Sequence, residues 1–266
     1  VKADEVEAAI GAGEIFLLYQ PKLDLRTGAI CGVEALARWR RRGHAEVEPA
    51  AFVPDVEACG AIDLLSEWAI ATAARAWTGW HDQGVELDLA VNISALNLKH
   101  VRFPDRVTEL CAAAGLPAER LTLELTEGAT QESTRLMDTI ARFRLKGIGI
   151  SLDDFGTGYG SLCQLRMLPF TELKIDRSFV SDLPTSRDSR AITRGLIQIA
   201  HELGLEVTAE GVEDEETLAA LAAFGCDRAQ GFHIARPMAG DLIVPWLGRR
   251  PARRPQEAPR PSAKPL

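Results

Sequence analysis

Six residues invite a chemical reading: Glu34, Asn92, Glu124, Asp153, Asp154 and Glu210. They fall on short strand-like runs, usually at or near the end, as do Gln20, Lys174, Asp176 and Gln230. A single polar residue at a strand end usually does no more than satisfy local hydrogen bonds. Five acids and an amide on one face, opposed chiefly by Lys174 and Arg38, are another matter. Left unpaired, such a group costs on the order of several kcal/mol in repulsion and desolvation, and a bound cation removes that cost. An all-oxygen donor set suits Mg²⁺ or Mn²⁺ rather than zinc or copper. Neighbouring Asp153 and Asp154 would point to opposite faces of a continuous strand, so both reach one site only where the strand is ending. The run Asp153-Asp154-Phe155-Gly156-Thr157-Gly158 then places a glycine loop beside them.

These residues need a frame that gathers strand ends. The strand-like segments are Ile15–Gln20, Ile30–Trp39, Leu87–Asn92, Leu121–Thr126, Ile148–Asp153, Thr171–Asp176, Leu205–Glu210 and Cys226–Phe232. Helical patterns lie between most of them: Leu136, Ile140 and Phe143 fall at i, i+4, i+7, as do Ile192, Leu196 and Ile199. Gly115, Gly147, Gly204 and Gly225 read as helix stops just before strands. Repeated units of this kind predict an α/β fold, a (β/α)8 barrel or a doubly wound sheet. In a barrel, the C-terminal strand ends form the active face. Parity turns Gly32, Glu34 and Arg38 to one side of their strand, and pairs Ala90 with Asn92, Ser151 with Asp153 and Thr208 with Glu210. Val33, Val91, Leu123, Ile150, Leu152 and Val207 then face the helices. Only Pro21–Ala29 separates the first two strands, too little for a parallel crossover. The expectation is an imperfect TIM barrel whose first strand runs antiparallel to the second.

The length, 266 residues, suits one barrel of roughly 250. The net charge of −8 conceals an asymmetry, because Arg249–Leu266 holds six basic residues and one acid, which leaves 1–248 at −13. A body so acidic argues against a nucleic-acid partner and demands cations if it handles phosphates. The tail, 249–266, has five prolines and almost nothing to bury, and reads as disordered beyond a barrel spanning 1–248. No apolar run approaches the ~18 residues of a membrane span. Cys31, Cys59, Cys111, Cys163 and Cys226 show no CxxC spacing and read as small core residues of a reducing compartment.

Taken in order, the motifs resemble a known family. Tyr19-Gln20-Pro21, Glu34-Ala35-Leu36-Ala37-Arg38-Trp39, Phe52-Val53-Pro54, Val91-Asn92-Ile93-Ser94, Leu123-Glu124-Leu125-Thr126-Glu127, Asp153–Gly158, Leu173-Lys174-Ile175-Asp176, Ala209-Glu210-Gly211-Val212-Glu213 and Gln230-Gly231-Phe232 are together similar to the EAL domain, a cyclic di-GMP phosphodiesterase. The resemblance implies two Mg²⁺ or Mn²⁺ ions, with Ca²⁺ inhibitory. Glu34, Asn92, Glu124 and Asp153 would hold the first ion, and Asp153, Asp154 and Glu210 the second. Lys174 would contact the attacking water. Gln20, Leu36 and Arg38 would face the substrate, with Arg38 near a phosphate, and Asp176, Glu213 and Gln230 would complete the site. Glu127 would anchor the Gly156–Gly158 loop. A homodimer, an upstream regulatory domain and a cytoplasmic location are further expectations; any membrane anchor would lie in segments outside this chain. Gly128 and Gly160 stand where the family commonly has serine, which puts dimer coupling in question. The rival readings are a catalytically silent cyclic di-GMP sensor and an unrelated metal-dependent barrel enzyme, such as one stabilising an enolate. The intact acid set opposes the first rival, and the Asp153–Gly158 and Glu34–Leu36 segments oppose the second.

Overall fold

The computed structural model describes residues 1–41, 46–127, 134–156 and 162–249. Gly128, Gly158, Gly160 and the tail from residue 250 lie outside the described residues. The strands are β1 (Ile15–Asp24), β2 (Ile30–Arg40), β3 (Glu46–Val47), β4 (Asp88–Asn92), β5 (Leu121–Thr126), β6 (Gly149–Phe155), β7 (Glu172–Ile175), β8 (Glu206–Ala209) and β9 (Arg228–Ala229). The helices are α1 (Ala3–Gly11), α2 (Pro49–Ala58), α3 (Ile62–His81), α4 (Phe103–Ala114), α5 (Thr134–Leu145), α6 (Leu162–Met167), α7 (Arg177–Val180), α8 (Arg187–Glu202), α9 (Glu215–Phe224) and α10 (Gly240–Arg249).

Eight strands close a barrel in the order β1-β9-β8-β7-β6-β5-β4-β2, with β2 returning to β1. β1 is antiparallel to both its neighbours, and the remaining barrel strands are parallel. The hairpin forms because Asp24 organises it: its Oδ1 accepts from Thr27 N at 2.7 Å, and its backbone carbonyl accepts from Gly28 N at 2.9 Å. The short β3, which no sequence pattern announced, pairs with the end of β2.

The core lies between barrel and helices. Val33, Val91, Leu123, Ile150, Leu152 and Val207 are all buried, as their parity requires. A second apolar cluster under α1 and α2 packs Val6, Ile15, Trp39, Phe52 and Val56. Leu136, Ile140 and Phe143 of α5 are buried. α8 departs from expectation: Ile192 and Ile199 are exposed, and the covered line is Thr193, Ile197 and Ala200. The stripe was helical as read, but the barrel packs against a face turned one residue away from it. The four glycines read as helix stops all take positive φ, from 74° to 86°. No helix among the described residues is long and apolar enough to cross a membrane. Cys31, Cys59, Cys111 and Cys226 are free thiols; Cys111 and Cys226 are buried and the other two half-buried.

Candidate metal and phosphodiester site

Parity and register bring the acids together. Gln20 on β1 lies opposite Glu34 on β2, Asn92 on β4 pairs with Glu124 on β5, and Asp153 lies near the end of β6. Lys174 rises from β7 into their midst and is fully buried. Its Nζ donates to Glu124 Oε2 at 2.7 Å, Asp153 Oδ2 at 3.1 Å and Glu34 Oε2 at 3.4 Å, and is ion-paired with Glu210 Oε1 at 2.7 Å. Asn92 Nδ2 donates to Glu34 Oε1 at 2.7 Å, and Gln230 Nε2 donates to Glu34 Oε2 at 2.7 Å and to Gln20 Oε1 at 3.0 Å.

Asp153 and Asp154 converge by a route other than the strand ending there. β6 continues to Phe155, but its register against β7 shifts between Leu152 and Phe155. Asp154 takes a left-handed φ of 56°. That conformation costs a non-glycine residue about 1 kcal/mol or more, least for Asp and Asn. The irregularity swings both carboxylates to one side, and Asp153, Asp154 and Glu210 each bring one oxygen within 4.8 Å of the others. Just beyond, Gly156 N donates to Glu127 Oε2 at 3.0 Å, so the start of the glycine loop is tied to the end of β5.

The last predicted strand, Cys226–Phe232, is cut to Arg228–Ala229. Gln230 nevertheless stays bonded, donating from N to Ala209 O at 2.8 Å and accepting from Val212 N at 3.1 Å. The chain then passes Val212 so closely that a Cβ on Gly231 would lie 2.1 Å from the Val212 carbonyl oxygen, so only glycine fits.

Charge is distributed unevenly over the site. Five carboxylates (Glu34, Glu124, Asp153, Asp154, Glu210) face two buried ammonium groups, Lys174 and Lys22. Burial, reinforced by neighbouring acids, raises the carboxyls of Glu34, Asp153 and Asp154 above the usual range. Burial likewise pushes Glu210 up to about 8, against the pull of Lys174. Glu124 behaves oppositely: burial disfavours its charge, but Lys174 and Lys22 overcome this and hold it at about 2. Burial disfavours the charge of Lys174 too, yet the carboxylates around it raise it well above the ordinary lysine value.

A cavity of about 230 Å³ opens over this ring, lined among others by Gln20, Glu34, Leu36, Asp153, Glu210, Glu213 and Gln230. Arg177 and Phe232 also line it, and sequence reasoning missed both; Arg236 lies over the Phe232 ring at 4.2 Å. A larger groove of about 600 Å³ between β1, α3 and α10 is mostly apolar and contains a single carboxylate, Asp241. Other expected residues stand apart from the cavity. Arg38 lies 3.5 Å from Glu46 on β3 and donates to the Ala37 carbonyl, so it does not offset the acid ring. Asp176 caps α7 by accepting from Ser178 N at 2.9 Å, and also faces Asp154 closely enough to raise its carboxyl. Lys22 went unread, although its place two residues from Gln20 on β1 was the available signal.

Comparison with known proteins agrees with this architecture. A family profile described as the EAL domain matches residues 3–237. The chain is 39% identical over 243 residues to the cyclic di-GMP phosphodiesterase PA2567 of Pseudomonas aeruginosa, covering 91% of this chain and 41% of that protein. It is 37% identical over 244 residues to the oxygen sensor protein DosP of Escherichia coli, covering 91% of this chain and 30% of that one. The chain therefore spans less than half the length of these curated relatives. A solved structure described as the PaMucR phosphodiesterase in complex with c-di-GMP superposes with a TM-score of 0.84 at 36% identity, covering 90% of this chain and 98% of the other. With a family profile matched over residues 3–237 and the barrel shared with a solved relative, the chain belongs to the EAL domain family.

Proposed function

We propose that the chain hydrolyses cyclic di-GMP to linear pGpG with the help of two divalent cations. The observation that carries this reading is the ring of five carboxylates under a cavity of about 230 Å³, contacted from within the barrel by two buried ammonium groups. The donor set fits Mg²⁺ or Mn²⁺: every side chain offers oxygen, and the raised carboxyls of Glu34, Asp153, Asp154 and Glu210 mark groups that gain by meeting a cation. Glu34, Asn92, Glu124 and Asp153 would hold one ion, and Asp153, Asp154 and Glu210 the other. Bound ions of this kind supply Lewis acidity to a phosphoryl group and lower the pKa of water from 15.7 toward about 7.

The chain's own residues do the rest. Lys174 would orient the attacking water and offset charge on the phosphoryl oxygens. Glu210 would take the water's proton as the new bond to phosphorus forms. The bond from phosphorus to the 3′ oxygen breaks, and that oxygen takes its proton from solvent water. Gln20, Leu36, Glu213 and Gln230 would position the cyclic dinucleotide, and Asp176 would order groups beside Asp154. Arg38 would reach a phosphate by giving up its contact with Glu46. Glu127 would keep Asp153 and Asp154 in place through Gly156. The homodimer and the upstream regulatory domain belong to this same proposal.

The test is incubation of purified protein with cyclic di-GMP and Mg²⁺, with a chelated control. Conversion to pGpG that stops on chelation supports the reading. Binding without turnover in Mg²⁺ and in Mn²⁺ would make the chain a sensor instead.

A further inference from the structure

A second ammonium lies beneath the ring and touches no part of the cavity. Lys22 sits on β1 opposite Gly32, one inward step below the Gln20 and Glu34 pair. It is 3% exposed. Its Nζ donates to Glu124 Oε1 at 2.7 Å, while Lys174 Nζ donates to Glu124 Oε2 at 2.7 Å. Glu124, itself wholly buried, is thus gripped at both oxygens by cations from different strands. Below, Lys22 lies 3.9 Å from Glu172, whose Oε1 accepts from Thr208 Oγ1. Burying an ammonium is costly unless it is paired, and an apolar side chain would fill a barrel interior without that cost. The two-sided grip on Glu124 is what the ammonium provides in return.

We infer that Lys22 is a positioning residue: it fixes the Glu124 carboxylate so that this group is presented to the ion site in one orientation. The inference deepens the proposed two-ion reading and rests on it. Removing Lys22 has two opposed consequences. The ring becomes more negative, which favours any cation, and Glu124 loses one of its two tethers, which disfavours a defined ligand set. Positioning requires the second to win.

The experiment measures Mn²⁺ binding directly, by electron paramagnetic resonance of free Mn²⁺, on the full chain and without substrate. Wild type, Lys22→Met, Lys22→Arg, Glu124→Gln and the Lys22→Met/Glu124→Gln double variant are compared, with circular dichroism to confirm folding. Should Lys22→Met fail to fold, Lys22→Met/Glu172→Gln, which also removes the second carboxylate facing Lys22, takes its place. The expected result is about tenfold or more weaker Mn²⁺ binding in Lys22→Met, largely recovered in Lys22→Arg. Adding Lys22→Met to Glu124→Gln should cost less than about twofold, because Lys22 acts through Glu124. At saturating Mn²⁺ the KM for cyclic di-GMP should not change. Unchanged or tighter Mn²⁺ binding in the folded variant, or an equal loss in both backgrounds, overturns the inference. Wild-type Mn²⁺ affinity in Glu124→Gln, or a wild type that turns over no cyclic di-GMP, instead removes the reading beneath it.

Discussion

Glu34 receives hydrogen bonds from two strands and from the segment just past β9: Asn92 and Gln230 at 2.7 Å each, and Lys174 at 3.4 Å. Its carboxylate adds to repulsion within the ring, so Glu34→Ala should leave the melting temperature of the metal-free protein unchanged or higher. Turnover should fall by about 100-fold or more. Retention of over half the wild-type rate at saturating Mg²⁺ would show that Glu34 is not a ligand. Glu210 gives a pH test. Its folded pKa is raised from 4.5 to about 8, so its contribution to stability is complete below about 4.5 and is lost as pH rises through about 8. In the presence of a chelator, wild type should lose melting temperature relative to Glu210→Gln between pH 5 and 8.5, at about 2–4 °C per kcal/mol. Parallel melting curves across that range would contradict the shift.

At the scale of elements, the junction of β5 and β6 sets the site. Glu127 ends the described part of the segment after β5 and accepts from Gly156, just past the irregular end of β6. Glu127→Ala should release that end and let Asp153 and Asp154 drift. Activity is expected to fall about tenfold or more, while the melting temperature moves by only a few degrees. Unchanged rate and unchanged Mg²⁺ dependence would reduce Glu127 to an ordinary strand-end acid. The hairpin of β1 and β2 matters in a different way. Because β1 runs downward, it brings Gln20 to the cavity and Lys22 beneath it on one face.

For the whole molecule, the acidic body and the acid ring make the choice of cation the decisive variable. Mg²⁺ and Mn²⁺ prefer octahedra with oxygen at about 2.0–2.2 Å, whereas Ca²⁺ sits at about 2.3–2.6 Å with looser geometry. The carboxylates should attract either. Ca²⁺ is therefore expected to support binding of cyclic di-GMP, block its hydrolysis and compete with Mg²⁺. A binding isotherm and a turnover assay with each ion check this. Efficient hydrolysis in Ca²⁺ alone, or full activity after exhaustive chelation, would overturn the two-ion proposal.

Alternation along each strand, visible in one dimension, already turned Glu34, Asp153 and Glu210 to the side opposite Val33, Leu152 and Val207. The short link between the first two strands likewise dictated an antiparallel pair, since a chain that short has no room for a crossover. Contacts between distant segments were hidden. Lys22 and Glu124 are 102 residues apart, and no local period links them. The stripe of Ile192, Leu196 and Ile199 marked a helix without marking which side the barrel would cover, because coverage depends on what packs there. Asp154 turned left-handed where β6 loses register with β7, and that irregularity exists only once two strands are paired. Sequence set the direction of each side chain relative to its own strand. Only closure of the barrel decided which of them would meet, because a buried carboxylate and a buried ammonium find each other through space and not along the chain.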